Sequence, residues 1–424
     1  GFLGVQTAFT LQSSQMSRIF QTIGADPNNL GWFFILPPLM GLVVQPIVGY
    51  YSDRTWAPKL GGRRLPYLLL GMIVAVIVML LLPNSGSFGF GYGSLAALWF
   101  GAITVAFLDL SSNVAMQPFK MMVGDMVNDD QKSYAYGIQS FLSNTGAVLA
   151  AIFPFLFTWF GVKNIAPKGV VPDSVKVAFY VGAALLVVTS LFTVFRVHEY
   201  DPATYAKYHG ITEEDNKEGG NWFTLLKTAP KAFWTVTLVQ FFCWFAFQYL
   251  WTYSAGAIAK NVWDTTNATS AGYQAAGNWY GVLAAVQSIA AVVWSYVLAK
   301  VPNKYHKLGY AGSLLLGAFG FISVFFIHDQ WTLIISYILV GIAWAGMNTY
   351  PLTIVTNALS GKHMGTYLGL FNGSICLPQI VASLLSFALF PLFGNSQVNM
   401  FILGGIVLAL GALSVGTIKE TYAE

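Results

Sequence analysis

Charge is what this sequence has least of. Only 9% of its 424 residues are Asp, Glu, Lys or Arg, against 56% hydrophobic and 16% aromatic, whereas a soluble chain carries about 25% charge. That excludes an ordinary water-soluble enzyme. It also demotes nucleic acid as a partner, because the net charge of +4 first needs a membrane explanation. The two cysteines, Cys243 and Cys376, fall in different apolar runs without metal-ligand spacing, so buried thiols are expected rather than a disulfide. No G-x-x-x-x-G-K-[ST] loop is present, which removes a built-in nucleotide motor. His198, His209, His306, His328 and His363 show neither HExxH nor paired spacing, so no metal site and no cofactor are expected. No charged leader precedes the apolar run at Gly1, and no removable signal peptide is expected.

What the chain does have is long apolar runs. Reading them in order gives twelve spans, at 1–22, 30–51, 65–83, 93–118, 134–160, 176–196, 232–258, 276–299, 308–327, 331–357, 364–391 and 398–418, each near the roughly 20 residues that cross a bilayer as a helix. The loops sort by sign. Arg54, Lys59, Arg63, Arg64, Lys120, Lys132, Arg196, Lys207, Lys217, Lys227, Lys231, Lys300, Lys304, Lys307, Lys362 and Lys419 share one side, against Lys163, Lys168, Lys176 and Lys260 on the other. By the positive-inside rule both termini are cytoplasmic. Residues 197–231 turn hydrophilic, with Glu213, Glu214, Asp215 and Glu218 among lysines. The expected organisation is therefore a six-helix bundle at 1–196, a cytoplasmic connector at 197–231 and a second six-helix bundle at 232–424. A shift of 233 residues sets Pro118 on Pro351 and FTWFG on FPLFG, a weak repeat that fits two related halves around a midplane site.

In this setting one carboxylate stands out. Of the 17 Asp and Glu residues, Asp109 is the only one deep inside a span, and an acid at that depth costs at least about 2.5 kcal/mol unless water or a partner relieves it. At about 100° per residue, Asn113, Met116 and Lys120 share its face. The bland reading is a helix cross-link; the functional one is a proton-carrying group.

Several polar sets accompany it. In the first span Gln6, Thr10, Ser13 and Ser17 recur at helical spacing, with Gln12 and Gln15 beside them, and are expected to line an aqueous cavity. Arg18 either snorkels or pairs with an outer loop. Gln139 and Asn144 come from the fifth span. The second half contributes Gln240, Trp244, Gln248 and Trp251 on one helical face, then Trp344, Asn348, Asn372 and Gln379. Amides bond neutral hydroxyls, and flat aromatic faces cover the C–H face of a sugar ring. Gln6, Thr10, Asn113, Gln139, Asn144, Trp244, Gln248, Asn348 and Asn372 are thus the candidate substrate contacts. After the second span, GYYSDRTWAPKLGGRRLPY brings Gly49, Asp53, Arg54, Arg63 and Arg64 close together, which by itself reads as a topogenic charge cluster.

That loop resembles the signature between helices two and three of the major facilitator superfamily, here stretched by TWAPKLG, and the resemblance implies a cytoplasmic gate of Asp53, Arg54, Arg63, Arg64, Lys120 and Asp125. With SRIFQTIGA, VVQPIVGYYSDRTW, GRRLPYLLLG, LDLSSN…PFK…GD, YGIQSF and MGTYLGLFNGSICLPQIVASL, the chain resembles the sucrose and maltose proton symporters within the glycoside–pentoside–hexuronide cation symporter group. The resemblance implies an all-α integral membrane protein of twelve transmembrane helices in two pseudo-symmetric bundles, working as a monomer in a bacterial inner membrane. It implies alternating-access import of a neutral mono- or oligosaccharide, maltose- or sucrose-like, with a proton carried on Asp109; lipid and protons are its other partners. Lys120 is expected to favour re-ionisation of that acid. Where many members read MEPFR, this chain has Gln117 and Lys120, and Lys lacks Arg's bidentate fork. An uncoupled or sodium-coupled carrier stays open, as does a transporter-fold sugar sensor signalling through 197–231.

Overall fold

The computed structural model describes residues 1–127, 129–209, 222–358 and 364–418. Lipid offers no hydrogen bonds, so a crossing chain satisfies its backbone within its own helices. Twelve long helices result: α1 Phe2–Thr22, α2 Leu36–Arg54, α3 Leu65–Leu81, α4 Leu95–Met126, α5 Asp129–Trp159, α6 Asp173–Arg196, α7 Lys231–Trp263, α8 Ala271–Leu298, α9 His306–Phe326, α10 Leu333–Ala358, α11 Met364–Leu392 and α12 Gln397–Ser414. Eleven spans among the described residues are long and apolar enough to cross a membrane. The exception is α1, whose 21 residues still rise about 30 Å.

Helix ends differ from the apolar counts where charge begins. The spans expected to end at 118 and 258 run on to Met126 and Trp263, and the one expected from 134 starts at Asp129, because leaving lipid does not oblige a helix to stop. Side-chain oxygens of Ser94, Ser270 and Ser396 cap α4, α8 and α12 by accepting from Ala97, Tyr273 and Asn399 N–H, filling donors that a helix start leaves free. The second span is broken into Leu30–Phe34 and α2 at Pro37 and Pro38, which supply no N–H.

Helices α1 to α6 pack mainly among themselves, as do α7 to α12. The halves meet where α2 lies on α11, α5 on α8, and α1 on α7 and α8. Adding six to each helix number turns the α5–α11 pair of positions into one symmetry class and α2–α8 into another, so the α2–α11 and α5–α8 seams are images of one another. Both cysteines are buried free thiols.

The α5–α8 seam depends on close approach, since a Cβ on Gly281 would collide with the Ala151 carbonyl oxygen, the small-residue contact that lets membrane helices meet. Gly281→Val should therefore destabilise the folded protein by about 1–3 kcal/mol, read as a lowered thermal unfolding midpoint in detergent.

Candidate functional site

Between the halves lies a cavity of about 380 Å³, lined from α1 by Gln6, Thr10, Gln12 and Ser13, from α2 by Gly41 and Gln45, from α4 by Asp109 and Asn113, and from α5 by Asn144. The second half brings Trp244, Gln248 and Trp251 of α7, Tyr280, Gln287 and Ser288 of α8, Trp344 of α10, and Asn372, Cys376 and Gln379 of α11. Eight of the candidate residues thus share one space: Asp109, Gln6, Thr10, Asn113, Asn144, Trp244, Gln248 and Asn372. Two do not. Gln139 is absent from the lining, and Asn348, one turn beyond Trp344, is exposed and donates to the Trp344 carbonyl at 2.7 Å. Ser17 also leaves its expected face, donating to the Thr252 carbonyl of α7 at 2.7 Å.

Asp109 is 1% exposed and is held by amides. Gln12 Nε2 donates to its Oδ1 at 3.3 Å, and Asn113 Nδ2 donates to its Oδ2 and its backbone carbonyl, each at 2.8 Å. Gln45 Nε2 in turn donates to Asn113 Oδ1 at 2.8 Å. Gln45, alone in an apolar run, and the adjacent pair Gln287 and Ser288 escaped the sequence reading because neither shows a polar repeat at helical spacing. Lys120, expected to favour re-ionisation of Asp109, stands eleven residues on along α4, about 16 Å of helix, and its side chain lies outside the described residues.

On the other wall, Trp244, Trp251 and Trp344 form an aromatic cluster with centroids 5.5 to 6.3 Å apart. Trp244 Nε1 is buried without a partner among the described residues. Gln248 shows how a local break places a side chain. In a continuous helix the Phe34 carbonyl would accept from residue 38, but that residue is Pro38. Gln248 Nε2 from the other half donates to it instead, at 2.7 Å, and to Ser383 Oγ at 2.8 Å. Both amide protons are used, so only Gln248 Oε1 remains for a ligand.

The cavity is sealed at one end by Arg18, which is 0% exposed. Its guanidinium donates to Gln274 Oε1 (2.8 Å) and carbonyl (3.0 Å), Asn278 Oδ1 (2.8 Å), Asn164 Oδ1 (2.7 Å) and Gln15 Oε1 (3.4 Å). Of the two expectations for Arg18, pairing with the loop at 164 is the one observed. A side chain at Gly277 would collide with it. Gln397 Nε2 donates to Gln21 Oε1 at 2.9 Å beside it. Toward the opposite end the walls continue into exposed Ser140 and Asn348, and the cavity opens there.

Toward that end lies the basic loop after α2. The side chains of Asp53, Lys120 and Asp125 lie outside the described residues. Arg54 is exposed. Arg64 is 2% exposed and donates to Ser52 Oγ at 2.6 Å, and the Arg63 guanidinium lies 4.0 Å above the Tyr205 ring. Among the described residues a carboxylate also reaches this loop: Glu199, just past α6, accepts from Arg64 N–H (2.6 Å) and Leu65 N–H (2.8 Å) and so caps α3. Burial pushes the Glu199 carboxyl above its ordinary value of 4.5, although those N–H groups and Arg64 oppose the rise.

The model of the Major Facilitator Superfamily matches residues 1–383. The chain is 22% identical to the sucrose transport protein SUC4 of Arabidopsis thaliana, over 97% of this chain and 86% of the relative. It is 24% identical to the sucrose transport protein SUT5 of Oryza sativa subsp. indica, over 95% and 83%. Among solved structures, a D-xylose–proton symporter superposes with a TM-score of 0.70 at 13% identity, covering 98% of this chain and 95% of that one. A bacterial homolog of the human lysosomal transporter Spinster, inward-facing and occupied, gives 0.68 at 13% identity, covering 98% and 94%.

Two outcomes follow from the two ends. Arg18→Leu leaves several buried acceptors unpaired, each costing about 1–3 kcal/mol, so a Thr22→Cys probe at the sealed end should become labelled faster in that background. A raised Glu199 value means that its neutral form favours the fold, so its stabilising share is complete below pH 4.5 and is lost as pH rises through the shifted value. Glu199→Gln should remove that component from the pH profile of thermal unfolding.

With a family model spanning nearly the whole chain and a fold that matches the family's solved structures at TM-scores near 0.7, the protein belongs to the Major Facilitator Superfamily and is an integral, multi-pass membrane protein.

Proposed function

We propose that this protein is a proton-coupled sugar transporter, importing a neutral sugar of the sucrose or maltose class by alternating access. The observation that carries the reading is a lone buried carboxylate in the wall of a neutral cavity. The cavity, about 380 Å³, lies within the roughly 300–1,000 Å³ typical of small-molecule sites. Its amides and tryptophans suit hydroxyls and C–H faces rather than charge. The sucrose transport proteins among the relatives support the substrate class.

Coupling to a proton is favoured over sodium by the polarity around Asp109. Both carboxylate oxygens receive N–H donors, from Gln12 and Asn113, whereas a hard cation needs a shell of oxygens. A proton needs one oxygen only. Protonation cancels the charge that the protein would otherwise carry through an occluded state, and the halves then rock about the α2–α11 and α5–α8 seams. The positive-inside rule favours the cytoplasm for the end that carries the basic loops, and an inside-negative potential draws the proton inward.

The test is uptake of labelled sucrose and maltose into proteoliposomes under an imposed inward proton gradient, with and without a protonophore. Accumulation beyond equilibrium that disappears with the protonophore is expected, and Asp109→Asn should abolish accumulation while retaining exchange. Full accumulation by Asp109→Asn would overturn the role of the carboxylate; equilibrating uptake indifferent to the gradient would overturn coupling.

A further inference from the structure

The two oxygens of Asp109 are held by amides of unequal freedom. Asn113 is committed at both polar atoms: Nδ2 donates to Asp109 Oδ2 and to the Asp109 carbonyl, and Oδ1 accepts from Gln45. Turning that amide over would set oxygen against the carbonyl and N–H against N–H. Gln12 is committed at one atom. Its Nε2 donates to Asp109 Oδ1, while its Oε1 is buried beside the cavity with no partner among the described residues. An ionised carboxylate only accepts, and the amides as they stand suit it; a protonated one also donates, and its partner must then be an oxygen.

We infer that the coupling proton settles on Asp109 Oδ1 and that Gln12 is the positioning residue that answers it, its amide turning over so that Oε1 accepts the new O–H. The inference rests on the proton-coupled reading above. The proton comes from water in the open cavity, forms one O–H bond on Oδ1, and returns to water when that bond breaks. With the amide reversed, Nε2 occupies the place where Oε1 had no partner, and the wall there changes from acceptor to donor. A ring or hydroxyl oxygen of the sugar can accept from it. Sugar affinity then follows protonation without the sugar touching the carboxylate.

Few charged or titratable groups face Asp109 to compete. The Cys376 thiol of α11 and Tyr280 of α8 line the same space. On α1, Arg18 lies about 9 Å beyond Gln12 along the axis, with its donors engaged at the seal. On α2, Asp53 and Arg54 stand about 12 Å beyond Gln45. The only ionisable group on α3 is Tyr67, at its end against Thr55. On α5, Asp129, Asp130 and Lys132 stand about 18 Å or more from Asn144, and on α4 itself Lys120 and Asp125 are about 16 and 24 Å away.

The experiment is equilibrium binding of labelled sucrose and maltose to the full chain in detergent, across acid to alkaline pH, for the wild type, Gln12→Met, Gln12→Asn and Gln45→Met. Wild-type affinity should fall about tenfold or more toward alkaline pH. Both Gln12 variants should flatten that dependence to within about twofold, since neither presents an amide oxygen at the right reach. Gln45→Met should weaken binding at every pH alike. A wild-type slope retained in both Gln12 variants overturns the inference while leaving proton coupling intact; a flat profile in the wild type itself overturns both. Should the variants fail to fold, acid-minus-alkaline infrared difference spectra of the wild type decide. A carboxyl band absent from Asp109→Asn, accompanied by a glutamine side-chain amide change, is expected; a carboxyl band with no amide change overturns the role of Gln12.

Discussion

Arg18 makes all of its hydrogen bonds to neutral oxygens. A guanidinium buried without a counter-ion survives only if every donor is used, and here the acceptors come from α1 itself, from the loop at 164 and from α8. Because those partners belong to both halves, the requirement to satisfy one cation holds the two bundles together at one end. The cavity exists because the walls are drawn together there and diverge toward Ser140 and Asn348.

The same helix reaches Asp109, the one buried carboxylate among the described residues. Gln12 stands less than two turns from Arg18 on α1 and donates to Asp109, so the seal and the proton site share one rigid element. This explains why α1 is too polar to qualify as a span on hydropathy. Its Thr7, Gln12, Ser14, Gln15, Ser17, Arg18, Gln21 and Thr22 are buried inside the protein, not turned to lipid. The apolar helices around it, such as α3 with its mean hydropathy of 2.8, supply the hydrocarbon-facing surface instead. A polar helix is tolerated at the centre because its neighbours, rather than water, satisfy it.

Much of the site was legible from residue type. Asp109 stood out because hydrocarbon makes any acid conspicuous, and Asn113 one turn on shares its face by helical geometry alone. Ser17, Gln139 and Asn348 went astray because a helical wheel orders residues around one helix without saying how that helix is rotated against its neighbours. Ser17 meets the Thr252 carbonyl 235 residues away, a contact no local period contains. The basic loop after α2 was recognised, but Glu199, which caps α3 beside it, lies 135 residues from Arg64 and carries no local pattern to tie it there.

What the sequence determined by itself was the number and place of the crossings and the singularity of Asp109, because the cost of charge in lipid acts residue by residue. What only the tertiary structure decided was which polar atoms meet. Pro38 leaves the Phe34 carbonyl without its helical donor, and that could be read locally; that Gln248, 214 residues away, donates to it could not. Hydrogen bonds between helices depend on the axial rotation and register of both partners, and those are set by close approaches such as Gly281 on Ala151 and by Arg18 drawing α8 onto α1.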